Sequence, residues 1–251
     1  MRRKPTTGAS TYPGPTRRQR LLGRLARRIS AAASYSEERL LHVSLARFGA
    51  RHALEIPTWT REDELCALHD LACACPDGAS ALEIGAYLGA SSCVIAAGLA
   101  GRGGHLFCVD TWQNETMPEG VRDTFSIFQR NTAPFASMIT PLRKRSDQLS
   151  AAEVRRPLDL AFIDGDHAYE AVASDFDTIE PWMARDGVIV FHDVGAIEHT
   201  GVGRVVGAAL ASGGWTLGGL VRSLAWLVRY ESVHNPAADP DGIGSLRAAL
   251  P

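Results

Sequence analysis

The sequence lacks any long hydrophobic run. Its 251 residues are 45% apolar, yet no stretch of 18 consecutive apolar residues occurs, so no membrane-spanning segment is expected. The basic residues Arg2, Arg3 and Lys4 are not followed by the apolar segment of a secretory signal. We therefore expect a cytoplasmic protein.

The chain also has few cysteines, and their number is odd. The five lie in apolar surroundings, and Cys73-Ala74-Cys75 has no second cysteine pair that could complete a zinc site. We therefore expect reduced thiols in the core rather than disulfides or structural zinc.

Acidic residues are missing from the first 30 positions, which hold nine basic residues. The remaining chain holds 17 basic and 28 acidic residues, a net charge of −11. An acidic body would repel the phosphates of DNA or RNA. We therefore expect no nucleic-acid partner.

The domain organisation follows from shifts in composition. A first segment rich in Pro, Gly, Thr and Ser predicts a disordered tail. A basic helical extension comes next, then one α/β domain and a loose C-terminal tail. These segments cover residues 1–16, 17–55, 56–231 and 232–251.

The extension contains a basic amphipathic helix. Leu21, Leu22, Leu25 and Ile29 share one face, and arginines occupy the opposite face. Such a helix could pack on its own domain, lie on an anionic membrane surface, or join two subunits in a homo-oligomer.

Strands and helices alternate through the central domain. Buried apolar strands of this kind favour a mostly parallel sheet with helices on both faces, and a short turn between the last two strands favours an antiparallel pair. A further helix precedes the sheet and ends near Ala74. The predicted strands are 81–85, 105–110, 138–143, 158–164, 187–192, 215–221 and 224–230, and the predicted helices are 90–100, 119–132, 148–153, 168–183 and 202–212.

A glycine loop follows the first strand of the sheet. The pattern Glu83-x-Gly85-x-x-x-Gly89 allows close approach of a ligand to the backbone. Tyr87 stands where a dinucleotide fingerprint needs glycine. The carboxylate of Glu83 would repel a diphosphate and suit a cationic ligand.

Acids follow the next two strands. Asp110 ends the second strand, where an acid can accept hydrogen bonds from ribose hydroxyls. Ser146 and Asp147 follow the third strand, where an adenine ring could lie. A cationic nucleoside with a free ribose and no phosphate describes S-adenosylmethionine.

At this point the sequence resembles the class I S-adenosylmethionine-dependent methyltransferases. It is most similar to the group that contains antibiotic and sugar O-methyltransferases and cephalosporin hydroxylase-like proteins, over residues 55–231. Four segments carry the resemblance. They are Glu83-Ile84-Gly85-Ala86-Tyr87-Leu88-Gly89, Val109-Asp110-Thr111-Trp112, Phe162-Ile163-Asp164-Gly165-Asp166-His167 and Val190-Phe191-His192-Asp193.

The resemblance implies a Rossmann-like fold with a seven-stranded sheet of order 3-2-1-4-5-7-6. It also implies an S-adenosylmethionine site made by the glycine loop and the acids that follow the strands. The residues expected to contact this cofactor are Glu83, Gly85, Tyr87, Gly89, Ser91, Asp110, Thr111, Trp112, Ser146, Asp147 and Asp164.

Acids and histidines end two neighbouring strands. Asp164 and Asp193 match the positions of metal ligands in related metal-dependent O-methyltransferases. His192 stands at a position where those enzymes usually have an acid. We predict a divalent cation, Mg²⁺ or Mn²⁺, held by Asp164, His192 and Asp193. Imidazole suits Mg²⁺ poorly, and so His192 and Asp193 could instead form a hydrogen-bonded pair that shapes the pocket.

The general base is expected on the same strand end. By resemblance to macrolide sugar O-methyltransferases it is His167, and by resemblance to aminocoumarin sugar O-methyltransferases it is Asp166. Histidine titrates near neutral pH, which favours His167. The rival expectation is that His167 only caps the helix that follows.

These residues indicate O-methylation of a small-molecule hydroxyl, on a glycoside or another secondary metabolite. No Asn/Asp-Pro-Pro-Tyr motif follows the fourth strand, and no cysteine lies there. Methylation of nucleic-acid amino groups and cytosine-C5 chemistry are therefore disfavoured. The alternatives are another cofactor-dependent enzyme of the hydroxylase-like group, or a non-catalytic S-adenosylmethionine-binding partner.

Overall fold

A computed structural model describes residues 38–115 and 119–230 of the chain. Seven strands form one sheet in the order β3-β2-β1-β4-β5-β7-β6. Strands β1 to β5 are parallel, and β7 is antiparallel to both β5 and β6. The predicted fold class and strand order are confirmed. The strands are Ser80–Ile84, His105–Asp110, Ile139–Arg143, Leu158–Ile163, Met183–Phe191, Trp215–Val221 and Leu224–Arg229.

Each face of the sheet buries its own hydrophobic cluster. Successive side chains of a strand point to opposite faces. In β4, Leu160 and Phe162 therefore join one cluster, and Ala161 and Ile163 join the other. Because both faces are covered, the central strands are mostly apolar, which explains the apolar runs in the sequence.

Helices α1 to α3 pack on the first face, and α5 and α6 pack on the second. The short α4 also contributes Phe128 to the first cluster. Among the described residues, none of the helices is both long and apolar enough to cross a membrane. The helices α1 to α6 are 38–47, Glu62–Ala74, Ala90–Ala100, Phe125–Asn131, Tyr169–Ile179 and Thr200–Ala211.

Two predicted helices differ from the structure because their backbone N–H groups donate to acceptors outside a helix. The helix expected over 119–132 begins only at Phe125, since the Arg122 and Thr124 N–H groups donate to the 112–113 backbone. The helix expected over 148–153 is absent. There the side chains of Ser150 and Glu153 accept backbone N–H groups, which competes with helix formation.

The helix expected over 168–183 ends at Ile179, and β5 begins at Met183 rather than at 187. A short 3₁₀ turn, Glu180–Trp182, separates them. Pro181 lies in this turn, and a proline cannot donate the backbone hydrogen bond that would continue the helix.

The boundary between the extension and the domain lies earlier than residue 56. Leu41, Leu45, Ala50 and Ala53 are fully buried and belong to the same cluster as α2 and α3. Ser44 Oγ also donates to the Ala97 carbonyl in α3. The expected tail, basic helix and C-terminal tail lie in residues 1–37 and 231–251, outside the described part of the chain.

Candidate functional site

A cavity of about 970 Å³ opens at the carboxyl ends of β1, β2, β4 and β5. Ligands of open α/β sheets bind at this edge. Most of the predicted site residues line it. Those in the wall are Gly85, Tyr87, Gly89, Ser91, Asp110, Thr111, Ser146, Asp164, Asp166, His167 and Asp193.

The glycine loop lies against the end of β4. Gly85 has a φ of 87°, and a Cβ atom there would lie 2.1 Å from the Asp164 carbonyl oxygen. Only glycine allows this approach of the two backbones. Gly89, with a φ of 93°, is the residue before α3. The loop therefore turns tightly and leaves space beside its backbone.

Asp110 fixes this loop to the end of β2. One carboxylate oxygen accepts the N–H groups of Ala86 and Tyr87 at 3.0 and 2.8 Å. The other oxygen accepts the Trp112 N–H at 2.6 Å. A carboxylate can accept about four hydrogen bonds, so Asp110 keeps capacity for a hydroxyl in the cavity.

Glu83 differs from the expectation that it faces the ligand. Its side chain is fully buried and lies outside the cavity wall. Its carboxylate accepts hydrogen bonds from the hydroxyls of Ser91 and Ser92 in α3 and from the Cys108 thiol in β2. Along β1, Glu83 shares with Ala81 the face that α3 covers, and so its carboxylate lies beneath α3 and fastens that helix to the sheet.

Trp112 and Asp147 also lie outside the cavity wall. Trp112 is 1% exposed, and its indole N–H donates to the Tyr87 carbonyl at 2.9 Å, which supports the glycine loop from behind. The Asp147 carboxylate turns to solvent and pairs with Arg145 at 3.1 Å. Of the expected Ser146–Asp147 pair, only Ser146 reaches the cavity.

Asp164, His167 and Asp193 meet in the cavity wall at the ends of β4 and β5, and Asp164 adjoins the glycine loop. His167 Nε2 lies 3.2 Å from Asp193 Oδ2 and 3.9 Å from Asp164 Oδ1. The nearby carboxylates, Asp164 before Asp193, raise the pKa of His167 against the effect of burial. Asp193 has a φ of 58°, an unusual value for a non-glycine residue. Such backbone strain concentrates at functional sites.

His192 lies directly behind this group and is 3% exposed. Its Nδ1 is 3.3 Å from both Asp164 Oδ1 and Asp193 Oδ2, without an aligned hydrogen bond to either. The three ligand atoms lie within 4.8 Å of one another. The expected metal ligands are therefore brought together, with His192 presented from the buried side.

Glu64 is a site residue that sequence reasoning missed. It lies in α2, and its Oε2 is 3.2 Å from His192 Nε2. Burial alone would raise the pKa of Glu64, but hydrogen bonds, the strongest with His192, lower it to about 2. Burial likewise lowers the pKa of His192, but the three surrounding carboxylates outweigh it and raise that pKa well above its usual range.

Two further residues of the cavity wall were not predicted. His199 stacks on His167 with ring centroids 3.9 Å apart, and with His167 and Asp193 it forms a second possible cation group. Asp175, in α5, is 4% exposed, and burial raises its pKa to about 6. Both follow the signature segments in the chain by several residues and belong to no motif.

Comparisons with known proteins agree with this geometry. A family model described as a methyltransferase domain matches residues 82–194. The O-methyltransferase NovP is 13% identical over 78% of this chain and 99% of its own, with a TM-score of 0.59. The SAH-bound methyltransferase PaMTH1 of Podospora anserina is 12% identical over 82% and 95%, with a TM-score of 0.54. The O-methyltransferase of Bacillus cereus in complex with SAH is 18% identical over 75% and 90%, with a TM-score of 0.53.

At these identities the solved structures establish a shared fold, and the family match covers the glycine loop, Asp110 and the acids of β4 and β5. The fold and the site together define a methyltransferase. Residues 82–194 match a methyltransferase domain, and they lie in a sheet with the strand order that the resemblance to class I S-adenosylmethionine-dependent methyltransferases implied.

Proposed function

We propose that the protein transfers a methyl group to a hydroxyl oxygen of a small molecule, a glycoside or another secondary metabolite, with help from a divalent cation. The observation that carries this proposal is the cluster of Asp164, His167 and Asp193, which lines the same cavity as the glycine loop. A cofactor-sized space thus adjoins groups that can take a proton or hold a cation.

The cavity suits S-adenosylmethionine. Gly85, Gly89 and Asp110 border one side of it, and Ser146 and Asp175 border another. When bound, S-adenosylmethionine supplies a methyl group on a sulfonium sulfur, and the electrons of the broken carbon–sulfur bond stay on that sulfur. The acids in the wall favour such a cationic ligand over a diphosphate.

The chain also offers a set of ligands for a divalent cation. Asp164 and Asp193 provide carboxylate oxygens, and the buried Nδ1 of His192, which has no hydrogen-bond partner, points at both. When bound, a cation supplies positive charge that lowers the pKa of an acceptor hydroxyl. This ligand set supports a metal-assisted reaction.

His167 is proposed as the general base. Its side chain is 31% exposed and borders the cavity, and Asp164 and Asp193 can stabilise its protonated form. It accepts the hydroxyl proton while the acceptor oxygen forms its bond to the methyl carbon. The remaining contribution of the protein is positioning and electrostatic stabilisation.

The acceptor is proposed to enter past Trp59. This side chain is 65% exposed at the rim of the cavity, an unusual placement for a large aromatic residue. Glu198, His199 and Thr200 border the same cavity from the segment between β5 and the first residue of α6. An exposed aromatic face can stack on a sugar or another ring.

We also propose that the protein is cytoplasmic. The five cysteines, all within the described residues, form no disulfide, as is usual in a reducing compartment, and this supports the cytoplasm. A homo-oligomer formed through residues 17–30 stays a prediction.

The test is methyl transfer from labelled S-adenosylmethionine to a panel of glycosides and phenolic metabolites. We expect label in at least one acceptor, bound through oxygen when the product is analysed by mass spectrometry and NMR. Binding of S-adenosylhomocysteine without transfer to any acceptor of the panel or of a cell extract would favour a non-catalytic binding partner.

A further inference from the structure

Glu64 accepts more hydrogen bonds than the other described carboxylates near the cavity. It lies outside residues 82–194, the segment that matches the methyltransferase domain. It is 1% exposed. It accepts the Arg61 N–H at 2.9 Å, the Ser223 N–H at 3.0 Å and the Ser223 hydroxyl at 2.7 Å. Arg61 is the residue just before α2, and Ser223 lies in the distant turn between β6 and β7, so a local and a distant segment together hold the carboxylate in one place.

This fixed carboxylate determines which nitrogen of a neutral His192 ring carries the proton. Glu64 Oε2 lies 3.2 Å from His192 Nε2, and a carboxylate surrounded by donors can only accept there. As a metal ligand His192 must be neutral; its proton is then on Nε2, and the Nδ1 lone pair faces Asp164 and Asp193. Without a cation the surrounding carboxylates instead favour the protonated ring. Histidines that bind metals are generally oriented by a carboxylate on the other ring nitrogen.

We propose that Glu64 is a positioning residue that presents His192 Nδ1 as a nitrogen ligand, so that the site takes a first-row transition-metal dication in preference to Mg²⁺. The proposal rests on the cation site of the proposed function. Imidazole nitrogen suits Co²⁺, Zn²⁺ and similar ions, whereas Mg²⁺ favours oxygen ligands only. His167 and His199 lie beside the same Asp193, and their imidazole nitrogens are further possible ligands for such an ion.

The test is direct metal binding, with Co²⁺ and Mg²⁺ as the probes. Co²⁺ is titrated by its visible absorption and Mg²⁺ by calorimetry, into full-length wild type, Glu64→Gln and Glu62→Gln. Glu62 is an exposed acid of the same helix and gives the matched control. We expect wild type and Glu62→Gln to bind Co²⁺ more tightly than Mg²⁺. Glu64→Gln should bind Co²⁺ about 10–100-fold more weakly.

A second variant covers the case in which Glu64→Gln does not fold. His192→Asn offers an amide oxygen in place of Nδ1 and should lower the preference for Co²⁺ over Mg²⁺. Unchanged preference in His192→Asn, or unchanged Co²⁺ affinity in a folded Glu64→Gln, would overturn the proposal.

The same samples are titrated with S-adenosylhomocysteine. A wild type that binds S-adenosylhomocysteine but neither metal, or that prefers Mg²⁺, overturns the assignment of Glu64 and leaves methyl transfer intact. Failure to bind S-adenosylhomocysteine at all would instead count against the proposed function.

Discussion

Glu83 illustrates how one buried carboxyl can couple the fold to pH. It has no exposed surface, and its hydrogen bonds join α3 to β1 and β2. Burial, which outweighs the hydrogen bonds from Ser91, Ser92 and Cys108, raises its pKa from 4.5 to about 7. The folded protein therefore keeps a proton on this group over a range of pH in which the unfolded chain has lost it.

The consequence is a stability that falls as the pH rises. Below about 4.5 the group is protonated in both states, and above about 7 it is ionised in both. Between these values the folded state binds more protons, so this group lowers the free energy of unfolding as pH increases, by an amount on the order of 3 kcal/mol in total.

Glu83→Gln should remove this part of the pH dependence, because the amide does not titrate. We expect the free energy of unfolding of the variant, relative to wild type, to increase between pH 5 and pH 8 in denaturant titrations. Glu62→Gln, at an exposed position of α2, should follow wild type. Parallel curves for wild type and Glu83→Gln would show that Glu83 is ionised throughout.

His167 is the residue on which the proposed chemistry depends most. His167→Ala should lower turnover about 10²–10⁴-fold, the usual contribution of a positioned base, with unchanged affinity for S-adenosylhomocysteine. The rate is measured at saturating acceptor, and exposed His42→Ala serves as the control.

The rival role of His167 as a helix cap finds no support in the structure. The residue before α5 is Ala168, and its N–H donates to Asp166 Oδ1 at 2.9 Å. A folded His167→Ala protein with full turnover would transfer the role of base to Asp166.

At the scale of the elements, residues 38–55 are part of the domain core. Leu45 in α1 is fully buried against α3, whereas Val43 of the same helix is 59% exposed. Leu45→Ala should lower the free energy of unfolding by about 2–5 kcal/mol, because it leaves a cavity in the core. Val43→Ala should change it by less than about 0.5 kcal/mol.

Chemical denaturation of the two variants measures both values. Equal and small losses would mean that α1 is only loosely attached to the domain, as the boundary expected at residue 56 implied.

The strands could be predicted from the sequence more accurately than the helices. The central strands are mostly buried apolar runs, and that signal is local. The start of α4 and the absence of a helix near residue 150 depend on backbone N–H groups that donate to acceptors outside a helix. The Thr124 N–H, for example, donates to the Trp112 carbonyl. These contacts arise from tertiary structure and leave no pattern in a single sequence.

The same distinction holds in the site. Gly85, Asp110 and Asp164 could be placed because a parallel sheet brings strand ends to one edge. Glu64 could not be placed, since its partner His192 is 128 residues away. Glu83 was expected beside the ligand, but successive side chains of β1 alternate, so that Glu83 lies on the Ala81 face, which α3 covers.

At the scale of the whole molecule, the sheet brings the glycine loop and the acid–histidine cluster to one cavity. The central claim is that this cavity binds S-adenosylmethionine with Asp110 in its wall. Asp110 also holds the glycine loop through the N–H groups of Ala86 and Tyr87. Its loss should weaken binding both by removing an acceptor and by freeing the loop.

The most direct measurement is calorimetric titration of S-adenosylhomocysteine and of NAD into wild type, Asp110→Ala and Asp123→Ala. Asp123 is an acid with a side chain 61% exposed, and it serves as the control. We predict one molecule of S-adenosylhomocysteine per chain and no binding of NAD. Asp110→Ala should bind at least tenfold more weakly, and Asp123→Ala should match wild type. Equal affinity in wild type and folded Asp110→Ala, or binding of NAD in place of S-adenosylhomocysteine, would contradict this account.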